Sequence, residues 1–282
     1  MVCDRLIFPN GKYKCEGHGK NIKGKKRDEE FELTEEEYKR CIREVNVGMT
    51  ECWMIPLAEK IKPIYLMIQN GVDLIDKKAV IDGIETVFKI AGVEKKIRIL
   101  DYVELQGTNY ISPKGSLKEY RTVDWYLQQG KIKSRNLMQL NADAIYDLCC
   151  EEIALGGYKH YYVIILKSDI YLKNTNFVIG ASGEGTCAII STYRFNYLEP
   201  DQKYEVIKTE AMHKIGHVLG IPYNNRKTNV ENNIGLHCTN KCVMRQKIDI
   251  PGWIEMTNDR IKIGKPLCDE CINDLKTYFG RK

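Results

Sequence analysis

Residues Thr209 to Met244 read TEAMHKIGHVLGIPYNNRKTNVENNIGLHCTNKCVM and hold three of the chain's five histidines. His213 and His217 are four apart, and on a helix that spacing puts both imidazoles on one face, within reach of a single metal ion. The run from Glu205 to Leu219 has no proline, carries apolar Val206, Ile207, Met212, Ile215, Val218 and Leu219, and meets Gly220 and then Pro222. It predicts a buried helix that stops sharply. Two histidines at this spacing are also common as a solvated or core-satisfied pair. The glycine three residues after His217, which lets the chain turn back, and His237 beyond it shift the balance toward a metal centre. Three protein ligands leave a fourth position open, the geometry that catalytic zinc needs.

A second signal follows directly. Cys238 with Cys242, and Cys268 with Cys271, have the spacings of a tetrahedral four-thiolate zinc site. Taken in order, His213, His217, Gly220, His237, Cys238, Cys242, Met244, Cys268 and Cys271 resemble the signature of the archaemetzincins. These are metzincin-type zinc peptidases whose pattern adds paired cysteines to H-E-x-x-H-x-x-G-x-x-H. The segment from Ser168 to Phe195 is similar to the part of that family that runs into the upper-rim strand of the cleft. The resemblance covers roughly Ile61 to Leu275.

The resemblance implies an α/β fold of the metzincin-like zincin type: a mixed, mainly parallel sheet with flanking helices, an active-site helix at about 201–219 and a small C-terminal subdomain. It implies one Zn2+ on the three histidines and a second, structural Zn2+ on the four cysteines that pins Cys268 to Phe279. Met244 falls where the family has its Met-turn, an apolar floor beneath the histidines, although an ordinary core methionine reads the same way. A peptide or protein, as substrate or ligand, is expected to pair as an added strand with Phe177, Val178, Ile179, Gly180 and Ala181, or with the strand after them.

The chain departs from the family pattern in three places. Lys214 stands where the pattern has the glutamate that serves as general base, and an ammonium cannot accept a proton. A neutral amine could serve only after a pKa shift of about three units. Tyr223 occupies the slot six residues after His217; the Asn-rich run YNNRKTNVENNIG, read as an exposed loop, delays the third histidine to His237. His237 is preferred because Cys238 follows it at once, as the family pattern requires. The spacer from Met244 to Cys268 is also longer, and its IDIPGWIEMTND run is expected to alter one side of the cleft. Lys214 therefore leaves three readings: a zinc metallopeptidase with impaired hydrolysis, a non-catalytic peptide-binding pseudopeptidase, or a structural zinc protein.

Composition agrees with a soluble globular chain: 282 residues, 29% charged and 43% hydrophobic, with net charge +5. So small a charge does not argue for nucleic acid, and Lys20 to Arg27 reads as a solvated loop. No stretch approaches the roughly 18 apolar residues that span a bilayer, so no membrane partner is expected. Eleven cysteines, an odd number, and a start without the apolar core of a signal peptide favour a reducing cytoplasm with cysteines as metal ligands. Cys149, Cys150 and Cys187 read as core thiols.

Residues 1–58 read as an N-terminal appendage and 59–282 as the peptidase-like domain. Within the appendage, Cys3, Cys15, His18, Cys41 and Cys52 are either a further zinc set or free thiols, and Thr34 with Glu37 caps a helix over Glu35 to Val45. Beyond it, Ile61 to Gln69 reads as a buried strand, Lys77 to Ala91 as a helix and Lys96 to Val103 as a second strand. Thr108 to Gly130 reads as irregular, Asn136 to Leu155 as a helix, and Tyr161 to Leu166 as a strand covered on both faces. Phe177 to Ile179 and Cys187 to Thr192 bracket GASGEG, read as a turn between strands.

Overall fold

The computed structural model describes residues 5–7, 13–16, 30–33, 61–101, 123–136, 138–155 and 160–280. Strands β1 (Arg5–Ile7), β2 (Tyr13–Glu16) and β3 (Glu30–Leu33) form a small antiparallel sheet. The helix expected over Glu35 to Val45 lies outside the described residues, as do the side chains of the candidate set Cys3, Cys15, His18, Cys41 and Cys52.

From residue 61 the order is β4 (Ile64–Ile68), α1 (Leu74–Ile90), β5 (Ile99–Asp101), α2 (Val123–Ile132), β6 (Leu140–Asn141), α3 (Ala142–Leu155), β7 (Tyr161–Leu166) and β8 (Ile170–Tyr171). Then come β9 (Gly180–Ser182), β10 (Cys187–Ser191), α4 (Pro200–Val218), β11 (Val230–Asn232), β12 (Leu236–Cys238), α5 (Ile250–Ile263) and α6 (Asp269–Tyr278). The central sheet has the order β5-β4-β7-β10-β9; its first four strands are parallel and β9 runs antiparallel on the edge.

The alternation of β7 explains the two layers of helices. Tyr161, Val163 and Ile165 pack with α1 and α4 on one face, while Tyr162, Ile164 and Leu166 pack with α2 and α3 on the other. All six are buried, so the strand has no polar face, and each aliphatic side chain so placed stabilises by about 1.5–3 kcal/mol. Helices α1 and α4 cross at Gly83, where a Cβ would lie 2.7 Å from the Lys208 carbonyl oxygen and 2.8 Å from Ala211 Cβ. The missing side chain lets the two backbones approach.

Several sequence expectations shift. Part of the stretch read as irregular, Thr108 to Gly130, is helical: α2 begins at Val123 and buries Val123, Tyr126 and Gly130, a single face at helical spacing. Three anchors among polar neighbours carry too little period to be read beforehand. Helix α3 starts at Ala142, six residues later than expected, because Leu140 and Asn141 pair with β8, and Asn141 Oδ1 accepts from the Ala144 amide at 3.3 Å. Edge strand β9 is Gly180–Ser182, whereas Val178 makes only a bridge to Ile170. GASGEG is thus half strand, and the turn proper is Gly183 to Thr186, closed by Thr186 Oγ1 donating to the Gly183 carbonyl at 3.1 Å. Among the described residues, no helix is long and apolar enough to cross a membrane.

Candidate metal centres and cleft

Helix α4 opens with Pro200 in its first turn, runs beneath the sheet edge and ends in a Schellman motif. The Ile221 amide donates to the Gly216 carbonyl at 2.9 Å and the Gly220 amide to the His217 carbonyl at 3.0 Å, with Gly220 at φ +67°. That turn sends the chain back toward β11 and β12. His213 and His217 from α4 then meet His237 from β12. The Nε2 of His217 lies 3.2 Å from that of His213 and 3.1 Å from that of His237.

The outer nitrogens decide what these rings can do. His213 Nδ1 donates to the Val243 carbonyl at 2.6 Å, His237 Nδ1 to the Gly235 carbonyl at 3.0 Å, and His217 bonds the Ile221 backbone. Three Nε2 lone pairs therefore converge without a proton between them, an arrangement that a shared cation satisfies. Tetrahedral zinc with Zn–N of about 2.05 Å requires nitrogens about 3.3 Å apart, close to those found. Burial holds His213 and His217 well below the usual histidine range, aided by the nearby Lys214 charge, and lowers His237 as well. Neutral imidazole is the form that binds metal. Trp253 of α5 stands edge-on to His213 with ring centroids 5.2 Å apart.

Met244 is fully buried beneath α4, and a Cβ at Gly216 would sit 2.3 Å from its Sδ. Gly216, between the two helix histidines, is what lets the methionine under the helix. Burial at this place fits both a floor beneath the histidines and an ordinary core methionine, and Gly216 and Trp253 are not among the residues that the motif names. A glycine in mid-helix was the available signal for the first; nothing marked the second.

Behind the histidines, the four cysteines gather. Cys238 Sγ lies 3.7 Å from Cys268 Sγ, Cys242 Sγ 3.8 Å from Cys271 Sγ, and all four sulfurs fall within 4.8 Å of one another. Four thiolates on zinc at about 2.3 Å would stand about 3.8 Å apart, so the cluster fits that ion. Mutual hydrogen bonding splits the thiols: Cys242 brings Cys238 down to about 7, Cys238 holds Cys268 lower still, and Cys242 and Cys271 are pushed up. His237 and Cys238 are adjacent on β12 and face opposite ways, one to each centre.

The Asn-rich insertion is not merely an exposed loop. Its β11 pairs with β12, setting Glu231 opposite His237 and Val230 opposite Cys238. The long spacer after Met244 likewise folds, as α5, capped by Asp249 Oδ1 accepting from the Gly252 amide at 2.8 Å.

A cleft of about 690 Å³ runs past the histidines, and Phe177, Val178, Ile179, Gly180 and Ala181 all line it. Ile234, Leu236, Ile248 and Trp253 line it as well, so the insertion and the spacer both contribute to the cleft. Lys214 reaches the cleft from α4 with its Nζ 3.6 Å from Glu210, whose side chain is wholly buried. Gly180 makes room for this pair: a Cβ there would be 2.6 Å from Glu210 Oε1 and 2.7 Å from Lys214 Cε. Arg194 is drawn away from the cleft by a fork to Asp169, at 2.8 and 2.7 Å, and stacks on Phe177, while Tyr193 lies on a separate exposed patch. Cys149 and Cys187 are buried and Cys150 partly so, as core thiols should be.

Curated archaemetzincins are similar to this chain. That of Archaeoglobus fulgidus is 38% identical over 78 residues, 27% of this chain and 40% of the relative. That of Nanoarchaeum equitans is 38% identical over 81 residues, 29% of this chain and 36% of the relative. For Pyrococcus abyssi the figures are 31% over 130 residues, 42% of this chain and 55% of the relative, so the matches span about half or less of these proteins. The crystal structure of archaemetzincin from Methanopyrus kandleri shares the fold, with a TM-score of 0.51 at 17% identity over 79% of this chain and 97% of that one. No family model matches the chain.

Proposed function

The chain belongs to the archaemetzincin family, and on that premise we propose that it is a zinc-dependent, metallopeptidase-like protein that receives a peptide in its cleft and is impaired in hydrolysis. His213, His217 and His237 would hold the catalytic-type Zn2+, and Cys238, Cys242, Cys268 and Cys271 the structural one. Zinc on the histidines would supply Lewis-acid polarisation of a carbonyl. The chain's own residues do the rest. Edge strand β9 offers unpaired backbone groups to an extended peptide, as in strand addition, and Trp253 with the carbonyls of Val243 and Gly235 keeps the rings oriented.

The observation that carries the proposal is the Lys214–Glu210 pair. Lys214 brings an ammonium, which has no lone pair, to the position of the base, and Glu210 is sealed beneath it with no exposure. The other carboxylates lining the cleft are engaged: Asp143 accepts from the Lys173 amide at 2.7 Å and Glu184 from Asn224 Nδ2 at 3.1 Å. Lys214 can donate to a ligand carbonyl or carboxylate but not take its proton. Lys214 favours, as the alternative, a peptide-binding pseudopeptidase without turnover, whereas the three convergent imidazoles argue against a chain in which only the structural zinc remains, because a purely structural fold has no use for them. A reducing, cytoplasmic setting would keep Cys238, Cys242, Cys268 and Cys271 available as thiolates for the structural Zn2+.

The test is peptide hydrolysis by the zinc-loaded chain beside His217→Ala, with metal counted per chain. Slow or no cleavage with both metals present is expected. Brisk cleavage abolished by His217→Ala would make Lys214 compatible with full catalysis and overturn the impaired reading.

A further inference from the structure

The insertion that delays His237 comes to rest on the four-cysteine cluster. Arg226, from within it, has a side chain only 7% exposed. Its Nη1 donates to Cys271 Sγ at 3.3 Å and to Asp274 Oδ2 at 2.9 Å, and its Nη2 to the Asn229 carbonyl at 3.2 Å. Cys238 is the second sulfur it faces. Asp274 also accepts from the Tyr223 amide at 3.0 Å. Alongside, Glu270 accepts from Thr228 Oγ1 at 2.8 Å, Asn229 Nδ2 at 2.9 Å and Asn240 Nδ2 at 2.6 Å. Asn240 Nδ2 in turn lies 3.4 Å from Cys268 Sγ.

A guanidinium cannot be neutralised by losing its proton, so burying one requires fixed negative charge around it. Asp274 supplies one such charge; the sulfurs supply the remainder when they are thiolates, and four thiolates around a dication leave an excess of negative charge. A cationic N–H aimed at that sulfur shell is the complement the shell lacks. Without it, the Asp274 carboxylate would face the anionic cluster uncompensated.

We propose that Arg226, braced by Asp274, clamps the insertion onto the four-cysteine centre and sets how firmly that centre retains its metal. The proposal rests on reading the cysteines as a metal site. It gives the insertion a role beyond walling the cleft, since β11, anchored this way, is the strand that β12 pairs with.

The experiment uses the full chain loaded with Co2+, whose sulfur-to-metal absorption reports the cysteine site alone, followed after addition of excess chelator. Outer-shell partners typically change metal affinity 10–100-fold, so Arg226→Met should lose the band at least about 10-fold faster than the parent, with Arg226→Lys between the two. Decay of both variants within about twofold of the parent overturns the role of Arg226. If Arg226→Met fails to fold, Arg226→Lys against the parent decides by the same criterion. A folded parent with no sulfur-to-cobalt band sinks the cysteine-metal reading itself, and the proposal with it.

Discussion

Restoring a glutamate at position 214 should not by itself arm the cleft, whereas Lys214→Glu combined with Glu210→Gln should. Glu210 is fully buried, neither of its oxygens has a hydrogen-bond partner, and its compensating charge is Lys214 Nζ at 3.6 Å. Burial already pushes its carboxyl up, opposed by the pull of Lys214. In Lys214→Glu the cation becomes a second carboxyl. At a separation of about 4 Å and an effective dielectric of about 20, two carboxylates repel by about 4 kcal/mol, or about three pKa units. At neutral pH the pair then holds one proton, seated on the buried Glu210, and its hydrogen bond to the carboxylate at 214 makes that carboxylate a poorer base. Converting Glu210 to the amide removes the repulsion, and a positioned general base contributes about 10²–10⁴-fold. The assay is initial rate on a quenched fluorescent peptide by zinc-loaded protein, as a function of pH. The single variant should gain activity only toward alkaline pH, and the double variant should exceed the parent at least about 100-fold at neutral pH. Equal rates for single and double variants at neutral pH would refute the reasoning.

Three further outcomes are expected. Native mass spectrometry of His217→Ala should show loss of the histidine-site ion with the cysteine-site ion kept; loss of neither would remove His217 from the ligand set. Gly216→Ala forces a Cβ to 2.3 Å from Met244 Sδ and should cost about 1–3 kcal/mol in chemical denaturation, partly recovered by Met244→Ala; an unchanged midpoint would contradict the close packing. The metal-free protein should lose stability in acid. His213 and His217 are held below the ordinary value by burial, so their contribution is complete above about pH 6.5 and falls away from there down to the depressed folded values. A Tm that stays level between about pH 7 and 5 in chelator would count against that burial.

What the sequence disclosed depended on how local each signal was. The six apolar residues of β7 and the histidine spacing of α4 are written in consecutive residues; β7 lies where its apolar run puts it, and α4 ends within a residue of the local reading but begins five residues before it, at Pro200. The cysteine pairs, at short spacings, were equally legible. What escaped depends on partners far along the chain. Helix α2 is held by Val123, Tyr126 and Gly130 against α3, with a Cβ at Gly130 only 2.8 Å from Ile145 Cδ1. The strand β11 exists because β12 returns beside it, and no alternation in VEN announces that. Nothing local marks Glu210, which is buried only because the edge strand at Gly180 closes over it. Arg226 lies in a polar run, and only the fold brings it to Cys271 and Asp274.

The placement of His237 and Cys238 on successive residues of β12 constrains how the chain can vary in length. Two centres read one strand from opposite sides, so slipping β12 by a single residue against β11 would turn His237 toward the cysteines and Cys238 toward the histidines, disturbing both centres at once. Upstream, the ladder with β11 and the Arg226 anchor fix the approach to β12, which leaves the hairpin tip at Asn233 and Ile234 as the place where residues could be added without disturbing that register. Length changes should therefore be tolerated at the tip of that hairpin and purged within its ladder, so that the Asn-rich run is permissive only where it turns.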